Sequence, residues 1–282
     1  MSFQESGTNR RPSLFDAAFC ATLGLYVIFI GGVVLASFLM VAGTPDGRIQ
    51  FMESIRSPAV LHAVWLSLWT SSVAAVIAML ISVPSGYVLS RYHFRGIRLL
   101  DMIVDIPIIL PPLLFGIALL VLFQRSFIGP SLKAIGLKFV HQPSGIVLVQ
   151  VLIAAAYGTR MLKGTFDNLD PRLAAVARTL GCTRMQAFLT VTLTTVRNSI
   201  VAAFVMVWAR ALALYGPIIA FVGSATGYTE VMPTRMYLEM SVGRLEAALA
   251  VALIMILIAV GLLLVVKLYG DDGDQTARMM RV

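Results

Sequence analysis

The run DPRLAAVARTLGCTRMQAFLTVTLT, Asp170 to Thr194, sets two short amphipathic helices between long apolar segments, and its reading decides how the rest of the chain is read. Asp170 can accept hydrogen bonds from the first free amides of a helix, and Pro171, which has no N–H to leave unpaired, suits its first turn. Leu173, Val176, Ala177 and Leu180 recur at i, i+3, i+4 and i+7, which predicts one apolar stripe, and Gly181 supplies the left-handed residue that ends the helix. Thr183 and Gln186 stand in the T-x-x-Q relation of a capping box, so a second helix starts at once and feeds into the next apolar segment. A first helix of about ten residues is marginal alone in water, so its stripe has to be buried against the rest of the chain or against another protein. An ordinary amphipathic loop helix shows the same pattern.

Outward from this run the chain is apolar. Of its 282 residues 59% are hydrophobic and 13% charged, with a mean hydropathy of +0.88, where a soluble domain carries about a quarter charged residues. Six segments are long enough to cross a hydrocarbon core as helices: Ala17 to Val41, Val60 to Val83, Leu99 to Phe123, Gly145 to Leu162, Ile200 to Val222 and Ala247 to Lys267. The expected fold is all-α and polytopic, with one six-span transmembrane domain over 17–268, a cytoplasmic loop at 163–195 that holds the amphipathic helices, and tails at 1–16 and 269–282.

Six spans put both termini on one side. The N-terminus, second loop, fourth loop and tail hold Arg10, Arg11, Arg91, Arg95, Arg98, Arg160, Lys163, Arg172, Arg178, Arg184, Arg197, Lys267, Arg278 and Arg281, 14 of the 22 basic residues; the opposite loops hold Arg48, Arg56, Arg125, Lys133, Lys138, Arg235 and Arg244. The positive-inside bias makes the first group cytoplasmic. The net charge of +8 follows from this topology and points to a lipid bilayer, not to nucleic acid. Cys20 and Cys182 have no metal spacing, so no disulfide, metal or cofactor is expected.

The chain has no H-E-x-x-H, G-x-S-x-G or G-x-x-x-x-G-K-[ST], so any nucleotide hydrolysis belongs to another chain and the protein is expected to be no enzyme. The cytoplasmic helices then resemble the coupling motif of ABC importer permeases, E-A-A followed by three residues and a glycine: Gly181 matches the glycine and Ala177 the second alanine, while Ala175 and Val176 replace the glutamate and first alanine, and Thr194 stands where a proline is common. The resemblance is to the molybdate, tungstate and sulfate branch. It extends to LLDMIVDIPIILPPLLFGIALL, to WARALALYG, where Arg210, Tyr215 and Gly216 match but Ala213 and Leu214 replace a glycine and a glutamate, and to the stretch from Gly223 to Ala248. It implies a second permease subunit, identical or paralogous, separate ATPase subunits on the coupling helices, and an extracytoplasmic substrate-binding protein, all at a bacterial-type cytoplasmic membrane.

Pathway candidates follow from what lipid does not tolerate. Pro107, Pro111 and Pro112 each remove a backbone donor from the third span, which is accommodated where a helix lines a cavity or is buried in protein. Asp105 and Arg210 lie inside predicted spans and must pair or face water; the expectation is that they pair with each other, as a register-fixing device or beside a passing dianion. Ser67, Thr70 and Ser71 share one helical face and offer hydroxyls to an anion, although small polar residues equally serve helix packing. Tyr215 precedes Gly216 and Pro217 at a weak point of the fifth span. The function expected is passage of an oxyanion (molybdate, tungstate or sulfate) through an ATP-driven importer; permeases for phosphonate, iron(III) or polyamine, an ion-coupled secondary transporter and a membrane scaffold are the alternatives.

Overall fold

The computed structural model describes residues 14–270, and among them every regular element is helical. In chain order these are α1 (Leu14–Gly43), α2 (Pro45–Arg56), α3 (Pro58–Arg91), α4 (Ile97–Ile109), α5 (Pro112–Arg125), α6 (Ile128–Ala134), α7 (Pro143–Asp167), α8 (Arg172–Thr179), α9 (Arg184–Ala187), a π-helical turn (Phe188–Thr192), α10 (Leu193–Thr195), α11 (Arg197–Leu212), α12 (Gly216–Phe221), α13 (Met232–Ser241) and α14 (Leu245–Gly270). Arg10, Arg11, Arg278 and Arg281 of the charge argument lie outside the described residues.

The centre is the pair α3–α7, which small residues allow to pack closely. Ala74, Ala75 and Ala78 of α3 and Ala154 and Ala155 of α7 are buried in one cluster, and a Cβ on Gly158 would sit 2.5 Å from Ser82 Oγ. Without a hydrophobic force between helices in lipid, such close backbone approach and interhelical hydrogen bonds hold a bundle together. Ser82 Oγ donates to the Ala155 carbonyl at 3.0 Å. α11 closes the cluster with Val207, Trp208 and Ala211, and Trp208 Nε1 donates to Ser72 Oγ of α3 at 3.1 Å. A second cluster joins Ile146, Val149 and Ile153 of α7 to Ile218, Phe221 and Val222 around α12.

Three helices, α1, α3 and α7, are by themselves long and apolar enough to cross a membrane, and α14 runs 26 residues. The third predicted span is two helices, α4 and α5, bent by 111°. Pro111 and Pro112 cause the break: neither has an N–H, and Leu110, held before a proline, is extended at ψ 139°. The fifth predicted span is also broken, because α11 stops at Leu212 and the chain restarts as α12 at Gly216–Pro217. The six predicted segments thus correspond to four unbroken helices and two broken ones.

α5 folds back onto α12 through Gly116, where a Cβ would lie 2.6 Å from Pro217 Cα and its carbonyl oxygen. The two breaks adjoin, since a Cβ on Gly216 would stand 3.5 Å from Leu113 N and 3.7 Å from Pro112 Cβ. α1 stays at the periphery; only 6% of its apolar window is buried, so it faces lipid or another subunit.

Candidate functional site

The double helix α8–α9 has the local form that its residues dictate. Asp170 Oδ1 accepts from Arg172 N at 2.9 Å and α8 begins there, with Pro171 already helical at φ −62°, ψ −20°. At its end Gly181 takes φ +97°, Cys182 N donates to Ala177 O and Gly181 N to Arg178 O, each at 3.1 Å. These two bonds form a Schellman closure. Thr183 and Gln186 complete the reciprocal capping box, Thr183 N donating to Gln186 Oε1 at 2.8 Å and Gln186 N to Thr183 Oγ1 at 3.3 Å.

The predicted stripe divides in space. Ala177 is buried, whereas Leu173, Val176 and Leu180 are 43%, 57% and 81% exposed. Three large apolar side chains therefore stand open on a helix fixed at both ends, an arrangement suited to a partner surface. The loop is tied to the bundle by Tyr87 of α3, whose ring packs edge-on against Phe166 of α7 at 5.5 Å and against Phe188 of the π turn at 4.7 Å. Arg91 Nη2 donates to the Leu169 carbonyl beside it. These contacts join the α8–α9 loop to the ends of both central helices.

The hydroxyls of Ser67, Thr70 and Ser71, expected to be offered to an anion, are engaged within the bundle in this structure. All three residues are buried; Ser67 Oγ accepts from Met232 N at 2.8 Å, Thr70 Oγ1 donates to Leu66 O at 2.8 Å and Ser71 Oγ to Leu68 O at 3.2 Å. Their small size serves helix packing. The expected pairing of Asp105 with Arg210 is likewise corrected. Asp105 is clasped by Arg160 of α7 through Nε and Nη2, and the same guanidinium reaches Asp101 Oδ1 at 3.0 Å, while Lys163 Nζ holds Asp101 Oδ2 at 3.0 Å. α4 packs on α7, so its acids meet that helix's cations. Asp101 and Asp105 are a legible signal, two acids four residues apart on one face of α4, but Arg160, at the end of the fourth predicted span, counts with the basic residues of the loop that follows.

Arg210 instead lies over the Tyr157 ring, 4.7 Å from its centroid. Its buried Nε has no hydrogen-bond partner, and among the described residues no carboxylate comes within ion-pair distance of it. Tyr215 is half exposed and stacks on Tyr237, with centroids 5.5 Å apart. Pro107 lies inside α4, and Pro111 and Pro112 are exposed at the bend. A further group escaped the sequence reading: Arg235 bridges buried Glu230 at 3.2 Å and Glu239 at 2.7 Å around α13. Among the described residues no cluster of three or more His, Cys, Asp or Glu is placed to hold a metal, and Cys20 and Cys182 are free.

Comparison with solved structures finds the same architecture in a bacterial ABC transporter involved in import of the acidic polysaccharide alginate, at TM-score 0.74 and 18% identity over 92% of this chain and 95% of that one. An amino acid ABC transporter matches at TM-score 0.57 and 17% identity over 79% of this chain and 98% of that one. In sequence the chain is 34% identical to the molybdate/tungstate transport system permease protein WtpB of Thermococcus kodakarensis, over 71% of this chain and 75% of the relative. It is 31% identical to the molybdenum transport system permease protein ModB of Mycobacterium tuberculosis, over 83% of this chain and 89% of the relative. The profile of the family described as binding-protein-dependent transport system inner membrane component matches residues 82–271, a stretch that takes in α8, α9 and both broken spans. The chain belongs to that family and is the permease subunit of an ABC importer, a transport component and not an enzyme.

Proposed function

We propose that this permease passes an oxyanion of the molybdate, tungstate or sulfate kind across the cytoplasmic membrane, with both termini and the loop at 163–195 on the cytoplasmic side. The observation that carries the coupling part is the exposed row Leu173, Val176 and Leu180 on a doubly capped helix: an ATPase subunit seats there, and closure of the ATPase pair draws the coupling helices of two permease subunits together. The second permease subunit is an identical copy or a paralogue, and a binding protein delivers the substrate from outside. The substrate class is supported by the molybdate, tungstate and molybdenum relatives and by Arg210, a cation that has no carboxylate partner among the described residues and lies in the last turn of α11, just before the break to α12.

The test is uptake of labelled molybdate by vesicles that contain the permease with its ATPase and binding protein. Uptake should require ATP and the binding protein and should be competed by tungstate or sulfate. Uptake driven by an ion gradient without ATP would overturn the reading, and competition by phosphonate, iron(III) or polyamine in place of oxyanions would overturn the substrate class.

A further inference from the structure

Between the end of α3 and the α8–α9 loop lies a cleft of about 570 Å³ that the coupling role leaves unexplained. Its wall on α8 is formed by Ala174, Ala175 and Arg178. At about 100° per residue these lie on the side of the helix opposite Val176 and Leu180, so a partner seated on the exposed row leaves the cleft open. Arg91 of α3 and Arg184 of α9 join Arg178 in the lining, against one carboxylate, Asp170. Asp170 Oδ1 is already occupied by Arg172 N, and none of the three arginines forms an ion pair among the described residues. Ala175 stands where the resembling motif has a glutamate, so α8 itself sends no acid into the middle of this cleft.

The rest of the lining is amphipathic. The rings of Tyr87, Tyr92 and Phe188 share the lining with the three arginines. Guanidinium groups recognise phosphate by paired N–H donors, and basic pockets beside spanning helices on the cytoplasmic side take the heads of anionic lipids. We propose that this cleft binds a phosphate-bearing anion, supplied by the head group of an anionic phospholipid at the cytoplasmic surface, and that the bound phosphate bridges α3 to the coupling loop. The location of the cleft at that surface rests on the orientation given under Proposed function.

The test is thermal unfolding of the purified permease complex in detergent with short-chain phosphatidylglycerol, short-chain phosphatidylcholine or inorganic phosphate. Phosphatidylglycerol should raise the midpoint saturably and phosphatidylcholine should not. Arg178→Gln combined with Arg184→Gln, and separately Ala175→Glu, should each weaken the apparent phosphatidylglycerol affinity at least tenfold, with Ala175→Gln weakening it less than Ala175→Glu. Unchanged affinity in both charge variants overturns the site, and equal stabilisation by inorganic phosphate overturns the lipid as its source. Orientation is read independently with a membrane-impermeant thiol reagent on Cys182 in a Cys20→Ala background: labelling from the outer side only would overturn the orientation while the detergent measurement still judged the cleft.

Discussion

Arg160 of α7 holds the Asp105 carboxylate of α4 with both oxygens engaged, and the same guanidinium reaches Asp101 one turn earlier on α4. One cation thus serves two acids across a helix interface in which both sides are about a quarter to a third exposed, Arg160 at 32% and Asp105 at 26%. Such a pair lies between the exposed limit, worth about 0–1 kcal/mol, and the buried limit, where breaking it costs about 3–5 kcal/mol.

Arg160→Met should therefore destabilise the protein by about 1–3 kcal/mol, more than Asp105→Asn, because it strips a partner from two carboxylates. A double-mutant cycle in denaturant unfolding should give an Asp105–Arg160 coupling of about 1 kcal/mol or more and an Asp105–Arg210 coupling near zero. Additive losses for the first pair would remove the interaction from the account.

Leu180 is the most exposed of the three row residues on α8. Leu180→Asp places a charge in the proposed apolar contact with the ATPase and should abolish copurification of that subunit while membrane insertion is kept. An ATPase recovered at the wild-type ratio with the inserted variant would refute the docking face.

Arg210 has no acid to lose among the described residues, so neutralising it separates transport from folding. Arg210→Gln should shift the unfolding midpoint little and reduce oxyanion uptake at least tenfold, whereas Arg210→Lys, which keeps the charge but not the planar stacking on Tyr157, should retain an intermediate rate. Normal uptake by the Gln variant would leave Arg210 a packing residue.

Gly116→Ala should cost about 1–3 kcal/mol, since the new Cβ would meet the Pro217 backbone at 2.6 Å, where no flexible side chain can give way. Gly164→Ala, with nothing within 4 Å of its Cβ inside α7, should be neutral or stabilising by about 0.5–1 kcal/mol. The contrast is read as the difference in unfolding midpoint between the two variants.

What was legible in the sequence was local. The Asp170 cap, the Gly181 closure and the Thr183–Gln186 box depend on residues within a few positions of one another, and each took the form its chemistry requires. Pro111 and Pro112 located the break in the third span, but the 111° bend is set by where α5 finds α12, through Gly116 and Pro217. α2 went unread although Thr44, whose Oγ1 accepts from Gly47 N at 3.1 Å, is followed by Pro45 and Asp46, a well-formed helix start. Its polar composition hid it beside the apolar spans. The partner of Asp105 is not legible in the sequence, because choosing between Arg160 and Arg210 requires knowing which helix α4 packs on, a tertiary fact that hydropathy does not carry.

The break at Leu110–Pro111 also bears on the order in which the chain can settle into a bilayer. α4 brings Asp101 and Asp105 toward the membrane before α7 exists to meet them, and Arg160 and Lys163 arrive only some 55 to 62 residues later along the chain. Until then two acids and an interrupted backbone ladder are poor company for lipid. During synthesis α4 and α5 should therefore stay sheltered beside the insertion machinery until α7 emerges, bearing both cations and the small-residue face that receives α3.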